Sequence, residues 1–147
     1  MGTEVLPPDL EVWATGYARH ILGTRALPAE ISGEIHIGNK EPTVDPFPPT
    51  AVLFRDDGGG RSSILTGTRS MGVSVLAGTR LYDVPARNLA RMLFAVFTDE
   101  SLPILGGPAC PVVAITDFSG PYSVSETQDR TRMYFTVEYT VVGTPVG

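Results

Sequence analysis

The sequence is poor in cysteine and in positive charge, and it lacks long apolar runs. Its single cysteine, Cys110, cannot form a disulfide within the chain, so the fold does not require an oxidising compartment. Eleven basic residues stand against sixteen acidic ones, and the formal net charge of -5 opposes broad electrostatic contact with nucleic acid. No stretch approaches the roughly 18 apolar residues of a membrane helix, and no secretion signal is recognisable. We therefore expect a protein that folds in the cytosol and has no membrane segment.

Residues that usually carry catalysis or bind metals are sparse and scattered. His20 and His36 have no second histidine or cysteine at ligand spacing. Cys110 lies between Ala109 and Pro111, where a small packed side chain is a better interpretation than a nucleophile. No serine lies in a Gly-x-Ser-x-Gly turn, and no glycine-rich segment has the lysine and following helix of a phosphate-binding loop. We expect neither an enzyme nor a cofactor or metal site.

What the sequence does contain is an ordinary globular composition with many turn residues. A hydrophobic fraction of 42% with 18% charged residues lies far from the composition of disordered chains. The length of 147 residues suits one domain, which we expect to span residues 1–147. Thirteen prolines and sixteen glycines favour many short elements over a helical bundle.

Hydrophobic periodicity predicts two helices. Apolar residues from Leu10 to Ile21 recur at three- and four-residue steps, which predicts a helix over about residues 8–22. A second periodic segment follows Asp83 and has Pro85 in its first turn, which predicts a helix over about residues 84–98.

Alternating apolar and polar residues predict the strands, and prolines mark the breaks between them. The predicted strands cover residues 31–37, 51–54, 63–76, 112–115 and 132–141. Four prolines between Glu41 and Pro49 predict an extended loop, because proline lacks the N–H that a strand ladder needs. This order of elements predicts an α+β fold: a mainly antiparallel β-sheet with two α-helices packed on one face and a protruding β-hairpin.

The segment FRDDGGGRSS, residues 54–63, combines two carboxylates, three glycines and two arginines. Asp56 and Asp57 are neighbours, and neighbours on an extended backbone point to opposite faces, so the two do not readily bind one ion. A divalent ion with a distant third ligand remains an alternative. The glycines permit a chain reversal, and the segment is therefore interpreted as the tip of a hairpin that makes structural or intermolecular contacts.

Several segments together resemble the tail terminator proteins of long-tailed, siphovirus-type bacteriophages, especially those of actinobacterial phages. The resemblance rests on the N-terminal helix and on four local sequences: VLFRDDGG at 52–59, PARNLA at 85–90, GPY at 120–122 and RMYFTVEY at 132–139. These features span nearly the whole chain, and the match rests on the set because no single one is diagnostic.

The resemblance implies a structural protein of the virion, located at the head–tail junction and assembled in the cytoplasm of the host bacterium. Proteins of that family form a homohexameric ring that caps the tail tube, stops its polymerisation and offers a surface for the head-completion or neck proteins. DNA would pass through the ring without specific binding, because carboxylates that line a channel repel the phosphate backbone. The family has no catalytic signature, and no cofactor is implied.

On the basis of this resemblance we also hypothesise roles for individual residues, with some of the carboxylates facing the lumen. Three arginines are expected at an interface with a neighbouring subunit or the tube protein: Arg55, Arg61 and Arg69. Carboxylates are expected to line the lumen or to hold turns: Asp56, Asp57, Glu126 and Asp129, with Glu34 as a further lumen candidate. The C-terminal strand or the strand over 63–76 is expected to offer a free edge to the next subunit.

Two alternatives remain open at this point. A neck or head-completion protein of the same virion would share the size and the absence of catalytic motifs. A small α+β ligand-binding domain or enzyme would enclose a pocket between the helices and the sheet.

Overall fold

The structure is a computed structural model that describes residues 4–31, 33–43, 46–60, 63 and 65–146. Within these residues it contains three helices and seven strands. In chain order they are β1 (Val5–Leu6), α1 (Leu10–Thr24), β2 (Ile35–Gly38), β3 (Thr50–Gly58), β4 (Thr66–Ala77), α2 (Val84–Phe97), α3 (Leu102–Leu105), β5 (Val112–Val124), β6 (Thr131–Val142) and β7 (Thr144–Pro145).

Five of the strands form one sheet in the order β2-β3-β4-β6-β5. Neighbouring strands run antiparallel except that β2 runs parallel to β3, and β1 pairs with β7 in a separate two-stranded sheet. The predicted α+β class, a mainly antiparallel sheet with helices packed against it, is confirmed.

The face of the sheet that packs against α1 and α2, called here the inner face, holds the main core. Alternate residues of β3, β4 and β6 point into it, including the fully buried Phe54, Val73 and Phe135. Trp13 of α1 stacks on Tyr17 with ring centroids 5.6 Å apart, and its indole N–H donates to the carbonyl of Gly106 at 3.1 Å. This side of the molecule is therefore held by burial of apolar and aromatic side chains.

Both long helices lie close to where the sequence predicts them. Asp9 caps α1, because its side-chain Oδ1 accepts the backbone N–H of Val12 at 3.1 Å. The helix runs two residues past the predicted end at residue 22, and α2 ends one residue before the predicted end. Helix α3 lies in a segment for which the sequence predicted neither a helix nor a strand.

The edge strands β2 and β5 differ most from their predicted bounds. Strand β2 begins at Ile35, and Ile31 is buried in the core without being part of a strand. Strand β5 has 13 residues, whereas only the first four were predicted. Its residues are mostly exposed on both faces, so the alternation that reveals a half-buried strand is missing.

The β3–β4 hairpin also differs from the prediction. Strand β3 continues through Gly58, so Asp56 and Asp57 lie in the strand and not in the turn, and the ladder shifts register between Asp56 and Gly58. Every residue of β4 is also paired with β6, so within the described residues the two strands of this hairpin do not protrude from the sheet. Arg61, predicted at an interface, lies outside the described residues.

The opposite face of the sheet, called here the outer face, is mainly polar. A second small buried cluster on it consists of Ala51, Leu53 and Leu76. The proline-rich segment predicted as an extended loop reaches this face: Glu41 pairs with Arg132, and the ring of Phe47 lies 4.9 Å from the guanidinium carbon of Arg130. In its described parts, residues 41–43 and 46–49, this segment contains neither helix nor strand, as predicted.

Among the helices that the structure describes, none combines the length and the apolar character needed to cross a lipid bilayer.

Candidate interaction surface on the outer face

Five residues of neighbouring strands form a group on the outer face, called here the outer-face cluster: Arg55, Asp57, Gly72, Tyr122 and Tyr134. The register places Arg55 of β3 beside Gly72 of β4, and Tyr122 of β5 beside Tyr134 of β6. The Nε of Arg55 donates to Oδ1 of Asp57 at 2.6 Å, and its Nη2 lies 3.4 Å from the hydroxyl of Tyr134. The arginine side chain is 69% exposed even though its orientation is fixed from two sides.

Gly72 makes this arrangement possible. A Cβ atom at this position would lie 2.1 Å from the hydroxyl oxygen of Tyr134, which is far too close for a side chain to fit. The glycine therefore lets the tyrosine side chain reach across β4 toward Asp57. Tyr122, which is 45% exposed, packs edge-on against Tyr134 with ring centroids 5.9 Å apart. The cluster thus combines one exposed arginine with two tyrosines.

The protonation states of the cluster are set by its own contacts. Burial raises the pKa of Tyr134, and the negative charge of Asp57 raises it further, while Arg55 opposes the rise. The hydrogen bond with Asp57 raises the pKa of Arg55. The hydroxyl therefore stays neutral and the guanidinium stays charged at neutral pH.

Asp56 points to the inner side of the sheet, away from the outer-face cluster. Its Oδ2 accepts from Nη2 of Arg69 at 2.6 Å, and its backbone N–H donates to Oε2 of Glu11 at 2.8 Å. The Asp56 and Arg69 side chains are 15% and 25% exposed. The two neighbouring aspartates thus face opposite sides, as the strand geometry predicts. Arg69 is paired within the chain and is therefore less available for contacts with another molecule than Arg55 is.

Glu126 and Asp129 lie in the connection between β5 and β6. The carboxylate of Glu126 is 8% exposed and accepts from Nε of Arg130 and Nε of Arg132, each at 3.2 Å. Burial would raise its pKa, but the charge of Arg132, the backbone N–H of Thr127 and the charge of Arg130 together lower it. Oδ1 of Asp129 accepts the backbone N–H of Arg80 at 3.1 Å.

These carboxylates were expected to line a lumen or to hold turns. Asp56 accepts the backbone N–H of Gly58 and Glu126 accepts that of Thr127, and both are paired with arginines of the same chain. Asp57 is bound to Arg55, whereas Glu34 and Asp129 are exposed. The lumen role stays a prediction.

The expected free edge was assigned to the wrong strands. Both β4 and β6 have neighbours on both sides, because each lies inside the sheet. The long edge is β5, whose ladder with β6 is interrupted by three register shifts. The backbone N–H of Phe118 is bound by Oδ1 of Asp117 at 2.8 Å, and Pro121 has no N–H to donate. Bulges and proline are features that protect an edge against strand addition, so we expect contacts through side chains here.

The histidines and the cysteine that were considered for catalysis or metal binding each have their own separate surroundings. The imidazole of His20 stacks near Tyr17, whereas Nε2 of His36 lies 3.2 Å from the carbonyl of Lys40. Cys110 is half-buried, and burial raises the pKa of its thiol. In the part of the chain that the structure describes, no three histidine, cysteine, aspartate or glutamate residues are grouped so as to hold a metal ion.

Comparisons with known proteins add no assignment: no protein-family model matches the chain, and no curated protein matches it.

Gly72, Tyr122 and Tyr134 were not singled out for a role on the outer face from the sequence, although GPY and RMYFTVEY contain the two tyrosines. Their proximity depends on the register of β4, β5 and β6, which the sequence does not specify. The one available signal was the glycine inside the strand pattern, because such a glycine often marks a close approach of another group.

Proposed function

We propose that the chain is a structural protein of a long-tailed bacteriophage. In this proposal it forms a homohexameric ring on the tail tube, stops tube polymerisation and provides the docking surface for the head-completion or neck protein. The observation that supports the proposal best is the outer-face cluster, in which an exposed arginine is held in place beside two tyrosines. Arginine and tyrosine are enriched among the residues that dominate protein–protein binding.

The fixed orientation of Arg55 is what favours an interface. Its contacts with Asp57 and Tyr134 restrict the guanidinium before any partner arrives, so association loses less side-chain entropy. The remaining N–H groups can donate to a carboxylate or a carbonyl of a partner, and such charge-assisted hydrogen bonds are strong. An isolated surface charge pair without this restraint would contribute little.

A ring requires that one patch of each subunit meets a different patch of the next. The two edges of the sheet are different in kind, since β2 is short and lies beside α1, whereas β5 is long and exposes Phe118 and Tyr122. One side of the ring would match the last ring of tube subunits. The other side would not reproduce the surface that recruits further tube subunits, and growth of the tube would therefore stop. The formal net charge of -5 suits a channel that conducts DNA without holding it.

The test combines the purified protein with purified tail tube subunits of the same phage. We expect a six-subunit species, alone or on the tube, and tubes that are capped at one end and no longer elongate, as measured by solution mass and electron microscopy. The Arg55→Ala variant should fold normally but cap poorly. Arg91→Ala, which removes an exposed arginine of α2, is the matched control and should cap like the unaltered protein.

Tubes that elongate at the same rate in the presence of the protein would refute the proposal. A neck or head-completion protein would bind only to tubes that already carry a terminator, so addition before and after capping separates these two alternatives.

The ligand-binding alternative has a different signature. An apolar depression of about 460 Å³ lies beside α1 and is lined in part by Val12, Tyr17 and Leu105. A small molecule that binds there with a defined stoichiometry, together with a monomer that ignores tail tubes, would favour this alternative over the ring.

A further inference from the structure

Two carboxylates lie directly opposite each other at the exposed edge of the main sheet. The register pairs Asp117 of β5 with Glu138 of β6, and β5 itself contains no basic residue. Oε1 of Glu138 accepts the hydroxyl of Thr116 at 2.8 Å, and Oδ1 of Asp117 accepts the backbone N–H of Phe118. Within the part of the chain that the structure describes, neither carboxylate forms an ion pair. Like charges directly opposite on neighbouring strands are destabilising, so a cation from another molecule would stabilise this arrangement.

Phe118 offers an apolar anchor beside these carboxylates. It lies opposite the buried Val137, on the helix side of the sheet, and is itself 55% exposed. Its ring packs edge-on against Phe94 of α2, with ring centroids 5.6 Å apart, so it is oriented although it is exposed. Aromatic side chains are enriched in protein interfaces. We call Asp117, Phe118 and Glu138 the β5 edge.

The opposite edge of the sheet, where α1 lies beside β2, carries cations. Nη2 of Arg19 donates to the carbonyl of Ile37 in β2 at 2.9 Å, and Lys40 follows the end of β2 by two residues. Both side chains are exposed, and neither forms an ion pair among the described residues. The exposed Glu34 lies at the other end of β2. The two edges of the sheet therefore differ in charge where these side chains lie.

The exposed side of α1 also leaves space beside these cations. Val12 is 67% exposed, and Gly16 follows it by one turn and is exposed as well. A Cβ atom at Gly16 would meet nothing within 4 Å, so the packing of this chain does not require a glycine there. Glycine inside a helix is less stable than alanine, which favours the close approach of another molecule as its reason. We call Val12, Gly16, Arg19 and Lys40 the α1–β2 edge.

We propose that the β5 edge of one copy of this chain docks on the α1–β2 edge of a second copy. Phe118 would cover Val12 and Gly16, and the two carboxylates would approach Arg19 and Lys40. Complementary charge favours a second copy as the partner, because the same chain supplies both the carboxylates and the cations. Two different edges meet, so the contact is heterologous and can close a ring. It would join neighbouring subunits and therefore rests on the ring of the proposed function.

The test exchanges the charges of the two edges. One variant carries Asp117→Lys and Glu138→Lys, and the other carries Arg19→Glu and Lys40→Glu. Each variant alone would bring like charges together at every contact, so its association should weaken by about tenfold or more. An equal mixture should assemble again, because opposite charges meet at every contact of an alternating ring. Sedimentation velocity in solution and electron microscopy on tail tubes measure assembly. Glu100→Lys, at an exposed carboxylate between α2 and α3, is the control and should assemble like the unaltered protein.

Gly16→Gln tests the same contact without a change of charge, and it decides the question if a charge-exchanged variant does not fold. Glutamine forms helices better than glycine, so this variant should unfold at the same or a higher denaturant concentration while its association weakens.

The contact is overturned, and the proposed function is not, if the unaltered protein assembles but the mixture of the two charge-exchanged variants, both folded, does not. Gly16→Gln or single charge-exchanged variants that assemble like the unaltered protein would overturn it too. An unaltered protein that stays monomeric both alone and with tail tubes would refute the ring and this contact together.

Discussion

The two faces of the main sheet are stabilised in different ways. The inner face packs apolar and aromatic side chains against α1 and α2, and residues such as Phe97 and Phe135 are completely buried. The outer face holds ion pairs and tyrosine hydroxyl contacts, many of them partly exposed. Burial of apolar area contributes most of the stability of a fold, whereas exposed ion pairs contribute little. Substitutions on the outer face can therefore change the contacts available to a partner with little loss of stability.

The largest expected effect belongs to the inner face. Phe97 is fully buried and its ring packs against Trp13, Tyr17 and Phe54. Phe97→Ala should lower the free energy of unfolding by about 3–5 kcal/mol, because it removes apolar contacts and leaves a cavity. Denaturant-induced unfolding measures this change. Leu81→Ala, at a fully exposed leucine, should leave the midpoint nearly unchanged, and equal losses in the two variants would contradict the assignment of the core.

The next effect tests the buried ion pairs at the end of the outer face. Glu126→Gln removes the carboxylate that Arg130 and Arg132 share and should cost about 1–3 kcal/mol at neutral pH. The pKa of Glu126 is lowered from its ordinary 4.5, so its stabilising contribution is complete above about pH 4.5 and declines as pH falls through the folded pKa. The difference in stability between the two proteins should therefore shrink on acidification.

Unfolding curves of both proteins at a series of pH values between neutral and acidic measure this difference. A gap that stays constant down to the most acidic point would show that Glu126 is not the titrating group.

A loss of stability of similar size, together with a large loss of function, is expected at Gly72. A Cβ there collides with the Tyr134 hydroxyl, and the tyrosine must move away from Arg55 and Asp57. Gly72→Ala should cost about 1–3 kcal/mol, typical of an overpacked site, and should also impair capping of the tail tube. The double variant Gly72→Ala with Tyr134→Phe relieves the contact of the hydroxyl oxygen. Its stability should partly recover while capping stays impaired. Full capping by the Gly72→Ala variant would remove the outer-face cluster from the interface.

The smallest effect on stability is expected at Arg55. Its side chain is 69% exposed, and an exposed ion pair contributes about 0–1 kcal/mol. Arg55→Ala should therefore unfold at nearly the same denaturant concentration as the unaltered protein. A loss of more than about 2 kcal/mol would show that this arginine belongs to the fold, since surface substitutions usually stay within about 0.5 kcal/mol.

The comparison of the faces also explains which elements could be predicted. Strand β6 was predicted to within one residue at each end, because its inner residues from Met133 to Val141 are buried and the intervening ones are not. Strand β5 was mostly missed, since register shifts and exposure on both faces remove the alternation. The parallel pairing of β2 with β3 could not be predicted, because it depends on how the chain returns between them and not on local pattern.

The candidate sites show the same limit. The opposite orientation of Asp56 and Asp57 follows from local strand geometry and was predictable. The pairing of Asp57 with Arg55 is local as well, because residues two apart lie on the same face of a strand. The pairing of Asp56 with Arg69 depends on the register between β3 and β4, which the pattern leaves open. Glu126 was assigned to a lumen or a turn because its sequence neighbourhood gives no sign that two arginines enclose it.

The single tryptophan of the chain, Trp13, is a fluorescent reporter of the packing on the inner face. Trp13 is enclosed by Tyr17, Phe97 and Tyr139 and donates its indole N–H to Gly106, so its emission depends on whether α1 is docked on the sheet. The outer-face cluster lies on the opposite side of the sheet from this tryptophan. The intrinsic fluorescence of this protein should therefore follow the docking of α1, and a variant such as Arg55→Ala should leave it unchanged.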